Sequence, residues 1–414
     1  YVGHYSGSNV TTGSNNIVIG AGTTASSATV SNEITLGDAN ITKLRVPGIN
    51  VTLKDNGGTP TNGHVLTVDA NGEAGFAAVA AGVTSDAQYN TVAGTNAGDS
   101  FSGTDAEKNT LYGYDAGTAL TAGDRNTAIG YNALKTASVN SAKENVAVGY
   151  RSLEANTTGY GNTAIGAEAL IANTTGDSNV AVGYLCGIAN TTSGYNVAIG
   201  NRALYNNTTQ GGHVAIGGWA LNANTQGSQL VAIGYGALTS NTSGVESVAI
   251  GSNACYSQQA NGYNTGVGWE ALYQNTASYN AAFGRDCFRA NTSGGYNTGL
   301  GDNAASSNTT GSGNTVLGAS AGTGLTTGSN NIFLGYNATN GVAHTGSNCI
   351  VIGQNATISA LGVSNEITLG NTSITKLRVP GINVTLKDNG GTPTEGHVLT
   401  VDSNGEAGFA AAAG

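Results

Sequence analysis

Paired acidic residues are the side chains of this sequence that could do chemistry. If the chain repeats its path about every 17 residues, Glu154 lies beside Glu168 and Glu270 lies beside Asp286. Two carboxyl groups that converge on a sugar carry out glycoside hydrolysis, so glycan depolymerisation is the enzymatic activity that the sequence could support. The other acids are scattered, and solvated side chains are the simpler interpretation of them all. We therefore predict no catalytic residues and no enzymatic activity.

Histidines and cysteines do not group at the spacing of metal ligands. The five histidines are scattered, and none pairs at the separations that zinc sites use. Most of the four cysteines take positions where apolar residues are usual, which favours free, buried thiols over disulfides. Glycine-rich runs lack the lysine and hydroxyl residue of a phosphate loop. The sequence thus predicts neither a metal site nor a cofactor.

Aromatic side chains recur beside particular glycines and could contact sugars. Exposed aromatic faces can pack on sugar rings, but regularly spaced aromatic residues also stack on one another along a repetitive fold. The spacing here favours mutual stacking and leaves glycan contact open. The candidate glycan-contacting residues are Tyr131, Tyr150, Tyr184, Trp219, Tyr235 and Trp269.

The elements that position these side chains are short apolar runs, each closed by a glycine. Most closing glycines follow the previous one after 17 residues, and the exceptions are spacings of 16, 18 and 19. A period this short and regular predicts a stack of similar coils, a parallel β-solenoid or β-roll. The closing glycines are Gly94, Gly113, Gly130, Gly149, Gly166, Gly183, Gly200, Gly217, Gly234, Gly251, Gly268, Gly284, Gly301, Gly318, Gly335, Gly353 and Gly370.

Alternation of large and small residues predicts the path of one coil. Side chains alternate along a strand, so Val146 and Val148 point to one side and Ala147 to the other. A second apolar run, such as residues 201–205, follows the closing glycine. We therefore predict two short strands per coil. In this arrangement the strand Ile or Val and the later Leu share a bulky row, and the alanines share a small row.

Neither predicted row is polar. A soluble sheet normally leaves one face polar, whereas here one row fills the coil and the other needs a further apolar surface. Another copy of the same chain is the simplest source of such a surface. We therefore predict an elongated homotrimer, with a different cyclic oligomer as the alternative.

Asparagine recurs at two fixed places, four residues before the closing glycine and seven after it. Asn162 and Asn179 represent the first set, and Asn156 and Asn173 the second. Stacked coils would place these amides above one another at about 4.8 Å, where they can hydrogen-bond along the stack. Many belong to Asn-Thr-Thr or Asn-Thr-Ser sequences, for which turn chemistry is favoured over glycosylation.

A longer repeat divides the chain. Residues 31–78 and 364–411 are near copies at an offset of 333, with five differences in 48 positions. We predict a solenoid end over 1–37, a small β module over 38–80, a solenoid shaft of about 17 coils over 81–370, and a second module over 371–414. The modules interrupt the coils as knobs or collars. The repeat also predicts end-to-end continuation of the structure beyond this segment.

Composition excludes several classes of partner. The 414 residues carry a net charge of −10 with only 14 Lys and Arg, which argues against nucleic acid. No apolar run is long enough to cross a bilayer, so we predict no membrane insertion. Only 9% of residues are charged while 39% are hydrophobic, which is not the composition of a disordered chain.

Several of these motifs resemble known fibrous proteins. Asn-Thr-Ala-Ile-Gly at 126–130 and Asn-Val-Ala-Val-Gly at 145–149 resemble the head repeats of trimeric autotransporter adhesins. The segment from Gly63 to Phe76 is similar to one frequent in phage tail fibres. Residues 89–98 and 111–117 look like fibre repeats of phages of marine cyanobacteria. The resemblance to a phage tail fibre repeat protein implies an extracellular, trimeric fibre that binds host surfaces.

Three functions are compatible with these observations. The first is a non-enzymatic phage tail fibre shaft involved in host-surface attachment, with a cell-surface glycan or protein receptor as partner. The second is a bacterial extracellular filament or surface adhesin built from tandem 333-residue units. The third is a tail-spike glycan depolymerase. All three predict an extracellular location, on a virion or a cell surface.

Overall fold

The structure is a computed structural model that describes residues 1–37, 64–68, 74–78, 84–101, 105–137, 142–341, 343–376, 397–401 and 407–411. The chain divides into two units, Tyr1–Ala81 and Gly82–Gly414. The first unit contains a parallel pair, β1 (Ile17–Ile19) with β2 (Ile34–Leu36), and an antiparallel hairpin, β3 (His64–Val68) with β4 (Ala74–Ala78).

The second unit contains a long parallel ladder and a second hairpin. Its short β5 (Thr84–Ser85) pairs antiparallel with β6 (Thr91–Ala93), and β23 (His397–Val401) pairs antiparallel with β24 (Ala407–Ala411). The ladder strands are β6 (Thr91–Ala93), β7 (Thr110–Tyr112), β8 (Thr127–Ile129), β9 (Val146–Val148), β10 (Thr163–Ile165), β11 (Val180–Val182), β12 (Val197–Ile199), β13 (Val214–Ile216), β14 (Val231–Ile233), β15 (Val248–Ile250), β16 (Thr265–Val267), β17 (Ala281–Phe283), β18 (Thr298–Leu300), β19 (Thr315–Leu317), β20 (Ile332–Leu334), β21 (Ile350–Ile352) and β22 (Ile367–Leu369).

Each ladder strand pairs in register with the strand of the next coil. Ala181 lies beside Ala198, and Ala198 beside Ala215, so equivalent residues of successive coils are direct neighbours. The pairing runs in chain order from β6 to β22, so these strands form one continuous stack. The predicted all-β parallel solenoid of roughly 17-residue coils is confirmed.

The predicted second strand of each coil is wrong. Residues 201–205 form turns, because Arg202 and Leu204 have left-handed φ angles of 55° and 54°. Residues with left-handed φ angles alternate here with residues of ordinary, negative φ, and this curls the chain too tightly for a strand. The curl also turns Ala203 and Leu204 inward together, and both are buried.

This geometry corrects the predicted rows. The strand aliphatic residue and the later leucine were expected to share one bulky face, but Leu204 is buried inside the coil while Ile199 remains 36% exposed. The middle strand residue, such as Ala198, is buried beside the leucine. The core is therefore built mainly of alanine and leucine, with Phe288 and Phe333 in later coils, and the outer face of the sheet carries large aliphatic residues.

The predicted asparagine ladders are confirmed. The Asn173 amide donates to Asn156 Oδ1 at 2.9 Å, and Asn190 donates to Asn173 Oδ1 at 2.8 Å. In the other ladder, Asn179 donates to Asn162 Oδ1 at 3.0 Å from its amide and from its backbone nitrogen. The side chains of both ladders are buried in the coil, so the asparagines of the glycosylation sequences in these ladders, such as Asn156 and Asn173, point away from solvent.

The 333-residue repeat has equivalent structure in both copies where both are described. The pairs Ile17–Ile34 and Ile350–Ile367 occupy the same place in their ladders. Each copy also has a serine that donates to a glutamate seven residues later, as in the bond from Ser359 to Glu366. Most of the two predicted modules lies outside the described residues. The antiparallel hairpins β3–β4 and β23–β24 lie within the two predicted modules.

Candidate functional site

Both acidic pairs come together as predicted, but each pair is bound by an arginine. Arg151 Nε contacts Glu154 Oε2 at 2.5 Å, and its Nη1 lies 3.7 Å from Glu168 Oε1. Arg289 Nε contacts Glu270 Oε2 at 2.5 Å and lies 3.3 Å from Asp286 Oδ1. These four acids are ion-paired, so their interpretation as solvated side chains is wrong.

Arginines lie beside Glu270 and Asp286 of the second pair and beside the nearby Asp302. Burial raises the pKa of Asp286, and the nearby Arg285 and Arg289 partly offset this effect. A hydrogen bond from Arg285 lowers the pKa of Asp302. Asp286 and Asp302 thus both lie beside arginines, but at Asp286 burial outweighs them and the net effect favours the neutral form.

Two histidines are buried inside the coil, and one of them, His213, occupies a position of the asparagine ladder. The backbone nitrogen of His213 donates to Asn196 Oδ1 at 3.1 Å, and the Asn224 amide lies 3.4 Å from its Nε2. His344 is buried beside Phe333, with ring centroids 5.6 Å apart. Burial lowers the pKa of His213 to about 4 and also lowers that of His344.

The buried His213 predicts an acid-sensitive stack. Its pKa is about 4 in the folded chain against an ordinary value of 6.5, so its contribution is fully present above pH 6.5 and decreases as the pH falls towards 4. The full loss is about 3 kcal/mol. We expect His213→Asn, which restores a ladder asparagine, to remove this part of the pH dependence. Thermal unfolding of both proteins from pH 7 to 4 measures it, and parallel curves would contradict the prediction.

The four cysteines are free and buried, as predicted. Burial raises the pKa of Cys186, Cys255 and Cys287 to about 12, which keeps them as thiols. In the part of the chain that the structure describes, no three histidine, cysteine or carboxylate side chains form a potential metal site. The described residues also include no helix that is long and apolar enough to span a membrane.

The six candidate aromatic residues fall into two groups. Tyr131 stacks on Tyr114 at 5.4 Å and on Tyr150 at 5.5 Å between ring centroids, so neighbouring rings compete with a sugar for both of its faces. Tyr184 is 52% exposed and follows its closing glycine at a place where the neighbouring coils have Ala167 and Asn201. These three candidates therefore do not form a shared concave surface.

The other three candidates, Trp219, Tyr235 and Trp269, line two neighbouring surface depressions. We name these depressions together the aromatic groove. The first has a volume of about 370 Å³ and is lined by Trp219, Tyr235, Gly236, Thr239, Asn253, Tyr256 and Tyr273. The second has a volume of about 610 Å³ and is lined by Trp269, Arg285, Asp286, Arg289, Ala290, Asn303, Ser306 and Ser307.

Direct contacts join the two depressions. Tyr256 stacks on Tyr273 at 5.2 Å, and the guanidinium of Arg289 lies 5.4 Å from the Tyr273 ring centroid. At the far end, Arg202 lies 4.9 Å from the ring of Trp219. Sequence reasoning missed Tyr256, Tyr273 and Arg289, although each stands five residues after a closing glycine and so belongs to one column.

The sequence matches none of the known protein-family models. A comparison with curated proteins finds no similar sequence. The function of the chain has therefore to be inferred from its own residues.

Proposed function

We propose that the chain is a non-enzymatic structural segment of an extracellular fibre that associates with copies of itself and attaches to a cell surface. A phage tail fibre shaft is the favoured form, and a bacterial filament or adhesin of tandem units is the alternative. The observation that carries the proposal is the outer face of the ladder. Ile165, Ile250 and Leu317 are 40%, 37% and 41% exposed on this face, although they are large aliphatic residues.

The exposed aliphatic residues of this face form one continuous column, unlike the isolated hydrophobic residues of an ordinary protein surface. Single exposed aliphatic residues are normal, whereas contiguous apolar patches mark interaction sites. Here the register places Ile129 next to Val148, and the column continues strand by strand to Ile352. At strand spacing it is roughly 60 Å long. Association of three copies through this face would bury it, and the homotrimer is part of the proposal.

Self-association is tested by measuring the mass of the native protein in solution. We expect the mass of three chains by light scattering coupled to size-exclusion chromatography. The double variant Ile199→Glu with Ile250→Glu should shift the protein towards single chains, because charged side chains resist burial in an apolar interface. Gln226→Glu with Gln259→Glu adds the same charge at exposed turn positions and should keep the native mass.

Two outcomes would overturn this part of the proposal. The first is a single chain in the unmodified protein, and the second is an unchanged mass in the strand variants. If the glutamate variant does not fold, the double variant Ile199→Thr with Ile250→Thr replaces it in the test, because threonine retains a high strand propensity. Release of sugar from a polysaccharide by the unmodified protein would instead favour the depolymerase, against which the ion-paired acids argue.

A further inference from the structure

We infer that the aromatic groove of the second unit binds a linear, uncharged glycan along the axis of the coil stack. This inference deepens the proposed attachment function and rests on it. Trp219 and Trp269 mark the two ends of the apolar part of the groove, and they belong to coils three periods apart. Their separation along the axis is therefore roughly 14 Å at strand spacing.

The aromatic rings of the groove expose faces on which a sugar could pack, and these rings follow one another along the axis of the coils. Trp219 is 36% exposed, Tyr235 62% and Trp269 46%, so large areas of these rings face solvent. The three rings lie at different levels of the stack, because Trp219 and Tyr235 follow the closing glycines of neighbouring coils and Trp269 follows that of a coil two periods further on. Rings spread along the axis in this way suit a polymer of sugar rings, whose apolar faces can pack on aromatic side chains. A compact ligand would use only one of these positions.

The polar part of the groove supplies directed hydrogen bonds without a free charge. Arg285 forms a two-point contact with Asp302, with Nε–Oδ1 at 2.7 Å and Nη2–Oδ2 at 2.9 Å. Arg289 is bound by Glu270 and Asp286. Paired planar groups like these can still bond to hydroxyls through their remaining donors and acceptors. Since each guanidinium already has a carboxylate, this end of the groove favours a neutral ligand over an anionic one.

Binding is tested by electrophoresis of the native protein in gels that contain one soluble polysaccharide each. Dextran, mannan and galactan serve as neutral polymers, and alginate serves as the anionic polymer. We expect retardation by at least one neutral polymer and none by alginate. Trp269→Ala and Trp219→Ala should each weaken this retardation at least about tenfold, as loss of a central aromatic contact does.

Tyr195→Ala is the matched control, because Tyr195 is 71% exposed but lies on a different turn of the coil. It should leave retardation unchanged. Asp302→Asn leaves Arg285 without its closest carboxylate partner and should introduce retardation by alginate. Absence of retardation in every neutral gel, retardation by alginate alone, or equal losses in the tryptophan and tyrosine variants would each overturn the inference.

The result separates this inference from the proposed fibre function. A native mass of three chains with no glycan retardation would reject the groove and leave the fibre proposal standing. Glycan retardation by a single chain would reject self-association and support the groove. Shortening of the polysaccharide during the experiment would support the groove while overturning the non-enzymatic assignment.

Discussion

Replacement of Gly234 with alanine is expected to destabilise the second unit by more than about 4 kcal/mol, a cost that few single substitutions reach. The φ angle of Gly234 is +134°, which residues with a side chain rarely adopt. An added Cβ would lie 2.5 Å from the carbonyl oxygen of Gly251 and 2.6 Å from its carbon. Because these are backbone atoms of the next coil, the clash cannot be relieved by a rotamer change.

The matched control for this prediction is Gly341→Ala. Gly341 also has a positive φ, +72°, but a Cβ there would meet no heavy atom within 4 Å. Only the left-handed backbone penalty of about 1–2 kcal/mol remains. Coils contact their nearest neighbours, so a defect at Gly234 should also open the stack locally. Thermal unfolding and limited proteolysis measure both effects, and equal stability losses in the two variants would contradict the prediction.

Asn173→Asp is expected to cost about 3–5 kcal/mol at neutral pH, as an uncompensated buried charge does. The Asn173 amide donates to Asn156 Oδ1 at 2.9 Å and to the Gly176 carbonyl at 3.0 Å. A carboxylate at this position would face both acceptors with oxygen atoms. The substitution replaces only the amide nitrogen with an oxygen atom, yet both hydrogen bonds donated by Asn173 become repulsive contacts inside the coil.

The sign of the pH dependence distinguishes this mechanism from simple loss of packing. Burial would raise the pKa of the introduced carboxyl group above its ordinary value, so the variant should lose stability as the pH rises above about 4. Below that pH a protonated carboxyl can donate one bond again. Denaturant titrations at pH 3.5 and 7 test this, with Asn201→Asp at an exposed turn as control. A loss independent of pH would refute the buried-charge account.

The ladder could be predicted from the sequence because its cause is local and repeated. Glycine at a fixed interval marks the place where backbones of successive coils meet, and Gly234 meets Gly251 there. Asparagine at a fixed interval supplies a donor and an acceptor in each coil, and Asn173 uses both. Register then follows, because a shift by one residue would separate every glycine and amide from its neighbour.

The second apolar run could not be predicted correctly from the same pattern. An Ala-Leu pair such as Ala203 and Leu204 alternates in size like a strand, and left-handed φ angles are disfavoured for leucine. Leu204 nevertheless adopts a φ of 54° because this places the side chain in the closed interior of the coil. The gain from its burial, about 1.5–3 kcal/mol, exceeds the backbone cost. That balance depends on the closed coil and cannot be read from the local conformational propensities of these residues.

The candidate site, like the fold, could be predicted only in part from the sequence. The aromatic residues next to closing glycines could be recognised by spacing, and so could the neighbours Glu270 and Asp286. Their chemistry could not, since Arg289 reaches both acids from the turn column five residues after its glycine. Spacing also does not distinguish Tyr131, which stacks on other rings, from Trp269, which lines an open depression.

The sequence by itself determined the period, the parallel register and the two asparagine ladders, because each depends on one residue type that recurs at one place in the coil. Only the tertiary structure decided which apolar side chains fill the coil and which remain outside. The closed turn directs both Ala203 and Leu204 inward, and the strand therefore presents Ile199 to the outside. The direction of a side chain depends on the path of the closed coil, and this path is set by contacts between coils that no single period contains.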